Sequence, residues 1–236
     1  MNLHKWLICS LLPTFLLACS HTPARTKTLN AFTPIAQPNY ANAPFKTQSL
    51  IVIDPGHGGK DFGSEAAKTT TEKELNLKTS KFVAHYLQQM GFPVAMTRID
   101  DRFIALQSRA DMANDENAIL FLSVHYNSAP SPSAEGIEVF YYGGDKKTKR
   151  TAASKAFAQT ILESVIMETD AKSRGVKDGN LAVIRETQMP AILIECGFLT
   201  NAKERARILD LNYRKKLAKG IALGVRDYLR NTANEK

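Results

Sequence analysis

The chain has 236 residues, 44% of them hydrophobic, and a formal net charge of +8. That length suits one large domain or two small ones, and the apolar share supplies a real core, so the chain reads as globular with a segment attached in front. The basic charge favours anionic partners; nucleic acid is set aside, because the chain carries no recognised nucleic-acid motif and opens on an export signal.

That signal is read from Lys5, a basic start, followed by the apolar stretch Trp6 to Ala18. Thirteen residues interrupted by Pro13 fall short of the roughly 20 needed to cross a bilayer as a helix. Residues 1–18 are therefore expected to be a signal peptide, and removing Lys5 leaves a net charge of about +7. Leu16-Leu17-Ala18-Cys19 resembles a bacterial lipobox, in which Cys19 is acylated and becomes the first mature residue, although Leu17 departs from the usual small or β-branched residue. The alternative is an ordinary signal peptide cut near Ala18. One acyl chain binds membranes only marginally, so stable anchoring needs the several chains such lipoproteins carry. Cys9 leaves with the signal and Cys19 takes lipid, so Cys196 stands alone and no internal disulfide is expected. The stretch 19–48, rich in Thr, Pro, Ala and Asn, reads as a flexible tether.

From Leu50 onward apolar strands alternate with amphipathic helices. Strands are predicted at 50–54, 93–97, 118–124, 137–142, 181–184 and 191–195, and helices at 72–90, 104–115, 149–168 and 211–230. Runs such as Ile119 to Val124 and Ala191 to Ile194 suit strands buried on both faces. The expected fold is a single α/β domain over 49–231, with a twisted, mostly parallel or mixed sheet of about six strands and helices on both faces. Residues 232–236 read as a disordered tail.

In open α/β sheets ligands bind beyond the carboxyl ends of the strands, and His57, His125 and Glu195 all follow apolar strands. Glu72 and Glu74 compete for a further place. At 100° per residue Glu72 shares a face with Leu75, Phe82, Tyr86 and Met90, while Glu74 points away. Thr71 to Glu74 also fits a capping box, which gives Glu74 a structural task. A carboxylate on the core face is costly unless paired, protonated or bound to metal. The alternative for Glu72 is a favourable charge at a helix N-terminus. Two histidines and a glutamate give Zn²⁺ three protein ligands and leave a position for water. Glu195, partly buried, is the candidate general acid and base.

Ile51-Val-Ile-Asp-Pro-Gly-His-Gly-Gly-Lys-Asp-Phe-Gly63 resembles the opening motif of the zinc-dependent N-acetylmuramoyl-L-alanine amidases of the Amidase_3 family. Four further segments agree in order: Glu72-Lys73 with Leu75; Thr97-Arg98 with Asp101, Leu106, Arg109, Ala113 and Asn114; Ser123 to Asn127; and Pro190 to Phe198 with Asn201. The resemblance spans roughly 49–230. It implies that His57, Glu72 and His125 bind zinc, that Glu195 is the catalytic glutamate, and that the amide between N-acetylmuramic acid and the first L-alanine of the peptidoglycan stem is cleaved. Peptidoglycan or a muropeptide is then the substrate, and the enzyme is expected as a periplasmic monomer held to a membrane by its lipid. Asn127, two residues after His125, and Arg185, at a strand end, are candidate substrate-binding residues.

Other readings are blander. His85 falls off its helix's apolar stripe, Asp54 and Asp61 suit turn chemistry with orientation of an imidazole as the lesser option, and Cys196 is a small buried apolar residue. Lys146 to Arg150 reads as a solvated loop entering a helix. No room is seen between the second histidine motif and helix 149 for a helical plug over the site. A zinc peptidase or carboxypeptidase acting on another amide, and a non-catalytic glycopeptide-binding protein, are the competing functions. No Ser-x-x-Lys tetrapeptide, which a serine penicillin-binding activity requires, occurs in the mature chain.

Overall fold

The computed structural model describes residues 50–67, 70–144 and 148–234. The signal segment, Cys19 and the tether at 19–48 lie outside them. The elements in chain order are β1 (Ile51–Pro55), β2 (Glu65–Ala67), β3 (Thr70–Thr71), α1 (Glu72–Gln89), β4 (Val94–Met96), α2 (Leu106–Asp115), β5 (Leu120–Asn127), β6 (Ile137–Tyr141), α3 (Lys149–Thr169), β7 (Ser173–Asp178), α4 (Ala182–Arg185), β8 (Ala191–Phe198), α5 (Ala202–Leu209) and α6 (Leu211–Asn234).

Six strands form one mixed sheet in the order β4-β1-β5-β8-β6-β7, and β2 pairs with β3 in a small ribbon. All neighbours in the large sheet are parallel except β6 and β8. The period-2 alternation of each strand divides its side chains between two cores. Ile51, Ile53, Leu122, Val124, Ile192 and Ile194 face α1, α3 and α6, whereas Val52, Phe121, Ala191 and Leu193 face α2 and α4. Helices thus cover both faces, as expected. Among the described residues no helix is long and apolar enough to cross a membrane.

Several expectations are corrected. The sixth strand is β7, not 181–184: Leu181 caps the short helix α4. A four-residue apolar run carries no usable period, while β7 is an edge strand, exposed or half-buried throughout, with no apolar pattern to betray it. α5 and the β2–β3 ribbon were not foreseen. α6 continues through Asn234, so most of the expected tail is helical. Thr71 is the N-cap of α1, but it makes no side-chain cap. The N–H groups of Glu72 and Lys73 are instead taken by the carbonyls of Ser64 and Phe62, and Glu74 sits beside Lys78. The buried stripe of α1 is Glu72, Leu75, Asn76, Thr79, Ser80, Val83, Ala84 and Leu87, with Phe82, Tyr86 and Met90 half-buried on its flank. Thr148 and Lys149 are exposed, as expected, but Arg150 is half-buried: its guanidinium donates to the carbonyls of Met189 and Ile184 and to Thr187, tying α3 to the segment before β8.

α3 and α6 approach so closely that only glycine fits between them. A Cβ on Gly220 would lie 2.8 Å from Val165 Cα, and one on Gly224 would lie 2.9 Å from Ile161 Cα. Alanine is the better helix former by about 1 kcal/mol, yet separating two packed helices costs about 1–3 kcal/mol. Gly220→Ala is therefore expected to destabilise the protein by up to about 2 kcal/mol, read as a lower urea midpoint at unchanged slope. An unchanged or higher midpoint would show that the helices part freely.

Candidate metal centre

β1, β5 and β8 end side by side, and each delivers one polar residue to the same rim. The chain leaves β1 through Pro55-Gly56 and turns at His57, whose φ of 60° is left-handed, a conformation that costs a non-glycine residue roughly 1–3 kcal/mol. Gly56 is required by close approach: a Cβ there would fall 2.1 Å from the ring of His125.

His57 Nε2 lies 3.1 Å and His125 Nδ1 3.0 Å from one oxygen, Glu72 Oε1. The three donor atoms lie within 4.8 Å of one another. Glu72 is 3% exposed, and its other oxygen accepts from the Ser64 N–H at 2.9 Å. The amide of Asn76 and the N–H of Tyr126 approach Oε1, each at 3.3 Å. Burial works against the charged carboxylate, but hydrogen bonds and charge from His125 and His57 outweigh it and hold the group far below the usual range. Burial likewise opposes a charged His57 ring, and Glu72 with Asp61 overcomes it, pushing His57 up to about 9. The attraction that holds protons here would equally hold a cation. Two imidazole nitrogens and a carboxylate oxygen are zinc donors, so these residues fit a metal ion.

Asp61 Oδ2 lies 2.8 Å from His57 Nδ1, an ion-pair approach rather than a well-aligned hydrogen bond. It places a carboxylate behind the imidazole, where such groups orient metal-binding histidines. The loop itself is held from below. Asp54 is buried and accepts from Thr97 at 2.6 Å, Arg109 at 2.8 Å and Ser123 at 2.8 Å. Arg109 also donates to the carbonyls of Ile104, Pro55 and His57. Arg98 donates to those of Pro55, Gly56, Lys73 and Asp100. Turn chemistry was the reading for Asp54, and it is corrected: the residue is a buried counter-charge to Arg109, which holds the loop from below.

Glu195 pairs in register with His125 on one side and Glu138 on the other. It lines a cavity of about 260 Å³ with His57, Gly63, Ser64, Glu72, His125 and Asn127. Its Oε2 is buried without a hydrogen-bond partner. Burial pushes its carboxyl up to about 7; His125 opposes the shift, and Glu72 and Glu138 add to it.

Asn127 stands in this cavity wall, with its amide donating to Glu138 at 2.9 Å and its oxygen accepting from the Ser128 N–H. Arg185 stands elsewhere. It pairs with Glu186 at 2.6 Å and Asn180 at 2.6 Å, and it lines neither this cavity nor the neighbouring apolar hollow walled by Leu106, Leu181, Val183 and Leu193. His85 is exposed and Cys196 is fully buried, as expected. Residues 128–136 join β5 to β6 without a helix.

The model for N-acetylmuramoyl-L-alanine amidase matches residues 51–227. The chain is 36% identical over 180 residues to the N-acetylmuramoyl-L-alanine amidase LytC of Bacillus subtilis, an alignment covering 76% of this chain and 35% of LytC, so it spans about a third of that relative's length. Among solved structures, an N-acetylmuramoyl-L-alanine amidase from Clostridium difficile 630 superposes with a TM-score of 0.73 at 39% identity, covering 77% of this chain and 97% of the other. The catalytic domain of CwlV, an N-acetylmuramoyl-L-alanine amidase from Bacillus (Paenibacillus) polymyxa var. colistinus, gives 0.71 at 38% identity, with 77% and 98% covered.

Proposed function

The chain belongs to the N-acetylmuramoyl-L-alanine amidase family, and from that premise we propose that it hydrolyses the amide between the lactyl group of N-acetylmuramic acid and L-alanine of the stem peptide. The observation that carries this reading is the convergence of His57, Glu72 and His125 beside the partnerless buried oxygen of Glu195 in one cavity. His57, Glu72 and His125 would hold zinc. When bound, zinc supplies Lewis acidity, acidifying water and polarising a carbonyl.

Glu195 accepts a proton from the attacking water as the carbon–oxygen bond forms. It returns that proton to the alanine nitrogen as the carbon–nitrogen bond breaks. The products are a free lactyl carboxylic acid on the sugar and a free amine on the peptide. A carboxyl near 7 suits both directions of transfer at neutral pH. Asn127, held by Glu138, presents its side chain to the cavity and is assigned to substrate contact. Arg185, paired on the surface, is given no role.

Digestion of purified muropeptides tests the reading. Sugar carrying a free lactyl group and an intact stem peptide are expected; fragments cut within the stem would establish a peptidase instead. Chelation should abolish release and added zinc should restore it. Turnover that survives complete metal removal would overturn the zinc assignment.

The enzyme is further proposed to work outside the cytoplasm, in the periplasm, tethered through a lipid on Cys19 and the segment 19–48. The basic start, the short apolar stretch and Leu16 to Cys19 support this.

A further inference from the structure

β6 carries Glu138, which is only 4% exposed. Two cations from β7 meet one of its oxygens: Arg174 Nε at 2.7 Å and Lys177 Nζ at 2.5 Å. The other oxygen is occupied by Asn127. Of the other carboxylates on these strands, Glu135 pairs with Lys172, and Asp178 accepts from the Gly143 N–H, a bond that engages neither Arg174 nor Lys177. One carboxylate therefore serves two cations, and the cluster of Glu138, Arg174 and Lys177 carries a net charge of +1. The side chains of Arg174 and Lys177 remain 32% and 39% exposed, and the Arg174 guanidinium sits over the Phe198 ring, 4.8 Å from its centre, a cation–π contact that helps to position its fork.

The position of this surplus charge matters. Glu138 is the register partner of Glu195, and the strand order β5-β8-β6-β7 places Arg174 and Lys177 two strands from the general acid and base. Strands lie about 4.8 Å apart, so the offset is roughly 10 Å. Extended peptide advances about 3.3–3.6 Å per residue, so a chain leaving Glu195 across the sheet reaches β7 after about three residues.

We propose that Arg174 and Lys177 form a subsite for a carboxylate of the stem peptide, carried about three residues beyond the scissile amide. Glu138 sets the two side chains, and the charge it leaves unmet selects acid over amide. The ligand's identity rests on the amidase reading, but binding needs no turnover.

The test is calorimetric binding of the free stem tripeptide ending in carboxylate, against the same peptide ending in carboxamide. The wild-type protein is expected to prefer the acid by roughly tenfold. Arg174→Gln and Lys177→Gln should each reduce that preference severalfold, while Lys177→Arg retains it. Each variant leaves Glu138 one cation, and if either fails to fold, the wild-type comparison decides alone. Equal affinity for acid and amide, no binding of the acid, or an unaltered preference in both folded variants would overturn the subsite. A protein that prefers the acid but releases no peptide from muropeptides would overturn the amidase reading and leave the subsite standing.

Discussion

Glu195→Gln is expected to lower kcat on muropeptides by about 10²–10⁴-fold, the range that removal of a positioned general acid and base commands. Glutamine keeps the length and the carbonyl of the side chain but cannot take a proton from water. Stability should not fall with activity. Burial disfavours the charged carboxylate, pushing it up to about 7, so the cavity already tolerates a neutral group at this position. Zinc content should also be unchanged, because His57, Glu72 and His125 are the residues that meet. Product release, zinc per chain and the urea midpoint are measured together on the same preparation. Activity within a few-fold of wild type would remove Glu195 from the mechanism, and lost zinc would assign it to the ligand set.

The second large effect concerns stability. Asp54→Ala should cost about 3–5 kcal/mol, because it strands the buried guanidinium of Arg109 without its counter-charge. Changing Arg109→Met as well removes the stranded charge but leaves the carbonyls of Ile104, Pro55 and His57 without this donor, so little stability should return. Burial works against a charged Asp54, yet Arg109, Thr97 and Ser123 outweigh it and hold the carboxyl below its ordinary value. The stabilisation is then complete above the unfolded value of about 3.9 and is lost as pH falls through the lower folded value. Wild type and Asp54→Ala should therefore converge in urea stability as the medium is acidified below about pH 4. A constant gap across that range, or a cost under about 1 kcal/mol, would show that the pair is not what holds the loop.

The sheet's inner strands and the residues at their ends were legible in the sequence for the same reason. Ile51 to Ile53, Leu120 to Val124 and Ala191 to Ile194 are buried on both faces and read as near-continuous apolar runs, so the polar side chains that follow them stand out. His125 and Glu195 come directly after their runs, and His57 follows its own run past Asp54-Pro55-Gly56. Glu72 emerged because a helix's period distinguishes its inward face from that of Glu74. β7 stayed hidden because an edge strand such as Ser173 to Asp178 has no buried face to write a pattern. The Asp54–Arg109 pair stayed hidden because its members are 55 positions apart and each looks locally like an ordinary turn or surface residue. Arg98 and Arg109 entered only as letters of a family signature; their burial, at 1% and 2% exposure, is a tertiary fact. The subsite partner Glu138 belongs to the same class, since only the antiparallel pairing of β6 with β8 sets it beside Glu195.

Arg98 and Arg109 hold the carbonyls of Pro55, Gly56 and His57 from the protein side. The bend that presents His57 is thus frozen by covalently attached cations and not by the ion it would receive. An ion arriving at such a centre would meet a cradle already built. A chain of this build would keep its bend at His57 with or without an ion, so binding one would call for no refolding of the loop.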